Sequence, residues 1–168
     1  MNRILTTLLL TSSILLSSIA FSQEEAEIIK ESYDVLDIGG AIIHKADVLA
    51  DVSLTLFEGN RIVDEAMSKK NGKFKFTLMS DYIYTIELSK KEYYTKRVSV
   101  NTKIPAEVDD TYKFMFDLSL DAKEDKELDK YLADYPAILI EYSAKKDEFT
   151  FDKDYTKSYF EELEVTKN

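Results

Sequence analysis

The sequence contains no cysteine, which excludes both disulfide bonds and a lipid-modified cysteine behind a leader segment. Histidine occurs once, so the chain has almost none of the residues needed for catalysis by a nucleophile with a histidine base. Tryptophan is absent and only two prolines occur, but 11 tyrosines and 9 phenylalanines supply ample apolar surface for a core. A fold built from this chain must therefore be stabilised by ordinary hydrophobic packing.

Long apolar runs are also scarce, and the one exception lies at the N-terminus. Arg3 provides a positive charge, residues 4–19 are mainly apolar, and the run ends in small residues of the kind that a signal peptidase recognises. These features predict a signal peptide over residues 1–22, with cleavage before Gln23. The alternative is an uncleaved membrane anchor from Ile4 to Phe21, which its many serine and threonine residues disfavour. We expect an exported protein in the periplasm or at the cell surface, with no transmembrane segment after signal-peptide removal.

Positive charge is in deficit, because 22 Lys and Arg residues face 32 Asp and Glu residues, for a net charge of −10. An acidic chain repels polyphosphates, so we expect neither nucleic acid nor an anionic membrane surface as a partner. The excess of acid mainly favours solubility.

What the sequence does contain is a close succession of short alternating segments between residues 35 and 120. Apolar and polar residues alternate over 73–78, directly after the strong turn signal Asn71-Gly72. Gly39-Gly40 suggests a bulge or a close backbone approach in a first strand. About seven short strands with regular turn signals predict an all-β, antiparallel β-sandwich over residues 35–120.

The predicted sandwich is flanked by polar segments. We expect residues 23–34 to form an acidic tether or one or two turns of helix, and residues 121–134 to form a charged linker or a short surface helix. Residues 135–168 predict a strand followed by an amphipathic helix, with Asp152 or Asp154 as its N-cap. Because a strand and one helix cannot bury themselves alone, this extension must dock on the sandwich or on a partner.

Several short motifs between residues 35 and 101 follow a recurring order, and they are Ile38-Gly-Gly-Ala-Ile-Ile43, Val48–Leu54, Asn71-Gly-Lys-Phe-Lys-Phe76, Tyr84-Thr-Ile86 and Lys90–Tyr93. In this order the chain resembles the carboxypeptidase-regulatory-like domain family. The resemblance implies a transthyretin-like β-sandwich, similar in architecture to immunoglobulin-like domains. It also implies a non-catalytic accessory module, of the kind found in exported peptidases, outer-membrane receptors and surface proteins. No catalytic residue transfers with it.

The chain departs from that family at two turns where glycine is common. Ser80-Asp81 forms one of them, and Glu92 stands directly before Tyr93 in the other. Aspartate adopts positive φ more readily than most residues, so the first change is mild. Glu92 is expected to mark a longer or reshaped turn.

Aromatic residues concentrate near the C-terminus and form the candidate partner or glycan surface, which consists of Tyr142, Phe149, Phe151, Tyr155 and Tyr159. Aromatic faces stack on sugar rings and anchor protein interfaces. The other interpretation is a satellite core that joins the extension to the sandwich, and the alternation and helical spacing of these residues favour it.

Metal and catalytic sites have little support in the sequence. His44, Asp47 and Asp51 could together hold a metal ion, but they fall where the first strand turns toward the second. Asp152-x-Asp154 begins like a calcium-binding loop, yet the glycine and the glutamate that such a loop needs are missing. A carboxylate-based hydrolase is a remote alternative. We assign no catalytic residue, no cofactor and no metal ligand.

The sequence therefore predicts a non-catalytic binding or assembly module of the cell envelope that recognises a protein partner through exposed sheet edges or through the C-terminal extension. Glycan binding through surface aromatics is the alternative. An uncovered strand edge or an apolar groove would favour a protein ligand, whereas two or three aromatics exposed on one flat face would favour a glycan. A cleft lined by paired carboxylates would favour the hydrolase.

Overall fold

The computed structural model of the protein describes residues 31–125 and 134–165. The predicted signal peptide, residues 1–22, lies outside the described residues, as do most of the tether and of the linker. In chain order the strands are β1 (Asp34–His44), β2 (Asp47–Val48), β3 (Ser53–Glu58), β4 (Arg61–Met67), β5 (Lys73–Met79), β6 (Ile83–Ser89), β7 (Lys96–Asn101), β8 (Tyr112–Met115), β9 (Leu118–Ser119), β10 (Ile138–Ser143) and β11 (Glu148–Phe151). Helix α1 spans Lys153–Val165. In the described part of the chain, no helix has the length and apolar character needed to cross a membrane.

The strands form two sheets. In sheet 1 the long strand β1 lies at the centre, with β5 antiparallel on one flank and β8 parallel on the other. The short strands β2 and β9 pair with the C-terminal end of β1. Sheet 2 has the order β11-β10-β7-β6-β3-β4, in which only β10 and β7 are parallel neighbours.

The core lies between the two sheets because alternate residues of each strand point inward. In β5, Phe74, Phe76 and Leu78 are buried, whereas the alternating residues Lys73, Lys75 and Thr77 face solvent. Sheet 2 contributes the apolar residues of β3, β6 and β7 in the same way, among them Leu54, Ile86 and Val100.

The predicted all-β sandwich with a C-terminal helix is confirmed, and three details differ. Nine strands, rather than about seven, lie between Asp34 and Ser119, because β2 and β9 are too short to show alternation. The sheets are mixed rather than wholly antiparallel, since β8 and β9 run parallel to β1, and β10 runs parallel to β7. The extension contributes two strands rather than one.

The extension docks on the sandwich as part of sheet 2. Strand β10 lies in register with β7, with Ile138 opposite Val98 and Ile140 opposite Val100. All four side chains are buried. The residue before α1, Asp152, accepts a hydrogen bond on Oδ1 from the Tyr155 N–H at 2.9 Å. Asp152 is therefore the N-cap, one of the two alternatives that the sequence left open.

Gly39 and Gly40 allow the chain between β8 and β9 to pass very close to β1. The Phe116 N–H donates to the Gly39 carbonyl oxygen at 3.0 Å, and the Ala41 N–H donates to Asp117 Oδ1 at 3.0 Å. A Cβ on Gly40 would lie 1.5 Å from the carbonyl oxygen of Phe116. The glycine pair thus provides the close backbone approach that was one of the two predicted roles.

Candidate functional site

The predicted aromatic surface is a joint between the extension and sheet 1. Phe149 is 4 % exposed and Tyr159 is 9 % exposed, and both belong to the core. Phe151 packs edge-on against Phe114 of β8, with ring centroids 5.0 Å apart. The ring centroids of Tyr142 and Phe149 lie 5.8 Å apart, and both rings pack against the ring of Tyr112 in β8. The structure therefore brings Tyr142, Phe149 and Phe151 together on the β8–β11 side of the sandwich, whereas Tyr155 and Tyr159 lie on α1.

Tyr112 of β8 and Tyr142 of β10 form hydrogen bonds to the same carboxylate. The hydroxyls of both tyrosines donate to Oδ1 of Asp147, each at 2.6 Å. These two hydrogen bonds hold the pKa of Asp147 below its usual value, and the bond from Tyr112 has the larger effect. The same carboxylate raises the pKa of both tyrosines, because each would lose a hydrogen bond and face a like charge on ionising. Sequence reasoning did not assign Asp147 or Tyr112 to this site, since only the folded hairpin between β10 and β11 brings them together.

The helical part of the predicted surface anchors α1 to the start of the extension. The Tyr155 hydroxyl donates to the carbonyl oxygen of Pro136 at 2.6 Å. Burial raises the pKa of both Tyr155 and Tyr159. Among the described residues, the only aromatic side chains that are largely exposed are Tyr135 and Phe160, at 44 % and 45 %.

The single histidine is engaged by groups outside the predicted metal triad. Its Nδ1 lies 2.9 Å from the carbonyl oxygen of Leu120, and its Nε2 lies 3.1 Å from Oδ2 of Asp125. The ring of Tyr93 packs edge-on against the imidazole at 5.3 Å. His44 therefore connects the end of β1 to the segment that follows β9. Within residues 31–125 and 134–165, no three His, Asp or Glu side chains gather closely enough to hold a metal ion.

A different feature stands out at the opposite side of the sandwich, where β4 forms the edge of sheet 2. This strand pairs only with β3 among the described residues. Six of its seven residues are exposed, so both of its faces meet solvent. Three of the exposed residues are apolar, namely Ile62, Val63 and Met67, at 54 %, 38 % and 57 %. We call this strand and its free side the β4 edge.

The pairing of β4 with β3 sets which side chains share a face. Glu65 lies opposite Thr55, and Asp64 lies opposite the buried Leu56. The register skips Val63, so a bulge bends the strand between Ile62 and Asp64. The two adjacent acids therefore point to opposite faces of the strand, with apolar residues on either side of them along the chain.

The other edge strands of four or more residues in the described part of the chain, β5, β8 and β11, are less solvated than β4. Strand β11 faces the aromatic residues of β8. Strand β5 buries one face in the core and carries Lys73 and Lys75 on the other, as is usual for a protected edge. The β4 edge has no lysine, but it carries a bulge at Val63 and three other charged residues, Arg61, Asp64 and Glu65, and such features restrict which strands can pair with an edge. Sequence reasoning missed it because Arg61–Met67 has mixed polarity without a clear period, which is itself the pattern of a strand solvated on both faces.

Comparison with known proteins adds little to this picture. No family model matches the chain, and no curated protein matches it. Among solved structures, 3-chlorocatechol 1,2-dioxygenase from Rhodococcus opacus 1CP is similar at 12% sequence identity, with a TM-score of 0.40. That match covers 55% of this chain and 62% of the enzyme chain. A likeness of this strength does not bear on activity, substrate or family.

Proposed function

We propose that this protein is an exported, non-catalytic binding module of the cell envelope that recognises a protein partner by strand addition at the β4 edge. The observation that supports it is the solvation of β4 on both faces, with apolar side chains exposed beside unpaired backbone groups. An edge strand of this kind offers hydrogen bonds to an incoming strand, and neighbouring side chains provide selectivity.

Membership of the carboxypeptidase-regulatory-like family remains part of the proposal. Two backbone angles support it, because Asp81 has a φ of 69° and Glu92 has a φ of 71°. These are the two turns where the family commonly has glycine, and this chain keeps a left-handed conformation at both without glycine. Accessory modules of that family are non-catalytic, which agrees with a binding role.

Glycan recognition has less support. Three of the aromatic residues considered for it, Tyr142, Phe149 and Phe151, pack against β8, and no flat group of exposed aromatics occurs among the described residues. A sugar-binding platform needs exposed ring faces.

The absence of cysteine makes a direct test possible, since one introduced thiol is a unique attachment point. Val63→Cys places it on the β4 edge, and Thr77→Cys places it on the exposed face of β5 as a matched control. Both variants of the full mature chain are labelled with a benzophenone maleimide, incubated with a native envelope extract and irradiated. We expect one dominant protein adduct from position 63 and none from position 77.

The adduct must also depend on the β4 edge itself. Adding Ile62→Ser to the Val63→Cys variant should remove most of it, because an apolar contact next to the label is lost. Equal adducts from positions 63 and 77, or adducts unaffected by Ile62→Ser, would contradict strand addition at this edge. A carbohydrate adduct would redirect the search to glycans.

A further inference from the structure

The charges on the β4 edge restrict what can pair with it. Asp64 and Glu65 are exposed, and neither forms an ion pair with any residue in 31–125 or 134–165. Within the described part of the chain, the Asp64 carboxylate accepts only the N–H of Glu65, at 2.8 Å. The nearby Arg61 is held by Glu58, with two contacts of 3.0 Å. Two unneutralised negative charges therefore stand at the middle of the edge, one on each face.

A second copy of the chain fits this edge poorly. In the antiparallel register that pairs the whole of β4 with itself, Asp64 lies directly opposite Asp64 of the other copy, and Val63 lies opposite Glu65. Like charges directly opposite each other destabilise a strand pair. The net charge of −10 adds long-range repulsion between copies.

We infer that the β4 edge binds an extended protein segment in which two adjacent basic residues are flanked by apolar ones, paired antiparallel to β4. This inference rests on the proposed function and specifies its partner. Neighbouring residues of a strand point to opposite faces, so two consecutive Lys or Arg residues would place one ammonium or guanidinium group beside Glu65 and the other beside Asp64. Apolar residues before and after them would cover Met67 and Ile62.

Charged residues near β4 limit where the basic residues of the bound segment can lie. Lys69 and Lys70 follow β4 in the loop that leads to β5, and both are exposed. A basic residue opposite the loop would meet like charge, whereas a basic residue opposite the middle of β4 meets two acids. The basic pair is therefore central in the bound segment. Overall negative charge would speed the encounter with such a segment.

Three capped peptides with the cores VTKKVI, VTQQVI and VTEEVI test this partner class. Each is aligned antiparallel so that its central pair faces Glu65 and Asp64. Binding to the full mature chain is measured by calorimetry, and amide hydrogen exchange shows whether residues 61–67 become protected. We expect the basic peptide to bind roughly tenfold tighter than the neutral one, since two cross-strand ion pairs are formed. We expect the acidic peptide to bind weakest.

A charge-swap experiment separates recognition at the edge from unspecific attraction to an acidic protein. The double variant Asp64→Lys with Glu65→Lys should reverse the order of the basic and acidic peptides. The matched control, Asp109→Lys with Asp110→Lys, makes the same charge change in an exposed loop and should leave the order unchanged.

Each remaining outcome contradicts the inference in a distinguishable way. If the control weakens the basic peptide as much as the β4 variant does, the binding is unspecific and the inference is wrong. If all three peptides protect residues 61–67 equally, the partner class is wrong but strand addition stands. If none protects them and position 63 gives no adduct, the proposed function fails as well. If the chain itself dimerises through β4 in sedimentation experiments, the occupant is a second copy.

Discussion

Gly40 is the position where we expect one added methyl group to have the largest effect on stability. A Cβ there would lie 1.5 Å from the carbonyl oxygen of Phe116 and 2.6 Å from its carbonyl carbon. Real Cβ atoms essentially never come within 3.0 Å of such atoms, so the backbone would have to move by about 1.5–2 Å. Both contacts are to main chain, and no side-chain rotation can relieve them.

The size of the effect follows from what that movement breaks. The hydrogen bonds from the Phe116 N–H to Gly39 and from the Ala41 N–H to Asp117 would be lost, at about 1 kcal/mol net for each. The ring of Phe116, 9 % exposed, would shift against its core neighbours, and overpacking of this kind costs about 1–3 kcal/mol. Gly40→Ala should therefore destabilise the protein by about 3–5 kcal/mol, against a total stability of about 5–15 kcal/mol for a domain.

Urea unfolding followed by far-ultraviolet circular dichroism measures this loss, with tyrosine emission as a second probe because tryptophan is absent. Gly59→Ala is the matched control, since a Cβ on Gly59 meets nothing within 4 Å although its φ is 57°. That control should cost only about 1 kcal/mol, from the left-handed backbone alone. Equal losses for the two variants would contradict this expectation, because they would show that the backbone of Phe116 does not approach Gly40 closely enough to clash with a Cβ.

Three further predictions concern the extension, its joint and one turn. Ile140→Ala, in the buried face of β10, should cost about 2–4 kcal/mol in urea unfolding, whereas Leu139→Ala on the half-exposed face should cost less than about 1 kcal/mol; similar small losses would mean that the extension is not integral to the sandwich. Because the folded pKa of Asp147 is lowered, its stabilisation is present above the unfolded pKa and is lost as pH falls through the folded value. Asp147→Asn should thus lower the urea midpoint at pH 7 more than at pH 2–3, and a pH-independent difference would exclude this role. Glu92→Gly should raise stability by about 0.5–1 kcal/mol, because relief of a left-handed glutamate exceeds the entropy that glycine adds to the unfolded chain; a loss of stability would show that the Glu92 side chain is needed where it is.

The parts of the fold that could be predicted are those that depend on local pattern. The alternation over 73–78 correctly predicted which face of β5 is buried. Asp152 was predicted as a possible helix cap, and Gly39-Gly40 was predicted as a possible close backbone approach. Each of these signals acts within a few residues of the chain. Two-residue strands and parallel pairing could not be predicted, since a parallel neighbour is reached through a long connection that leaves no periodic trace.

The candidate site was harder to predict for a related reason. Aromatic clusters are visible in a sequence, but whether they face a ligand or another strand depends on non-local packing, and here β8 covers them. The β4 edge was invisible for the opposite reason. This edge is defined by the lack of a strand, among the described residues, on one side of β4. A sequence window around Ile62 or Met67 contains no information on which strands are neighbours in a sheet.

The two sides of the sandwich differ in how far their strands contribute to the packing of the fold. On one side the extension joins sheet 2 to β8 through aromatic rings and the Tyr112–Asp147–Tyr142 contacts. On the other side β4 overhangs the core, and its side chains add little burial to the fold. Substitutions on β4 should therefore change binding without much effect on stability, whereas substitutions at the aromatic joint should do the reverse. This separation supports the proposed role of the β4 edge, since a strand that pairs with its free side would require no core residue to move.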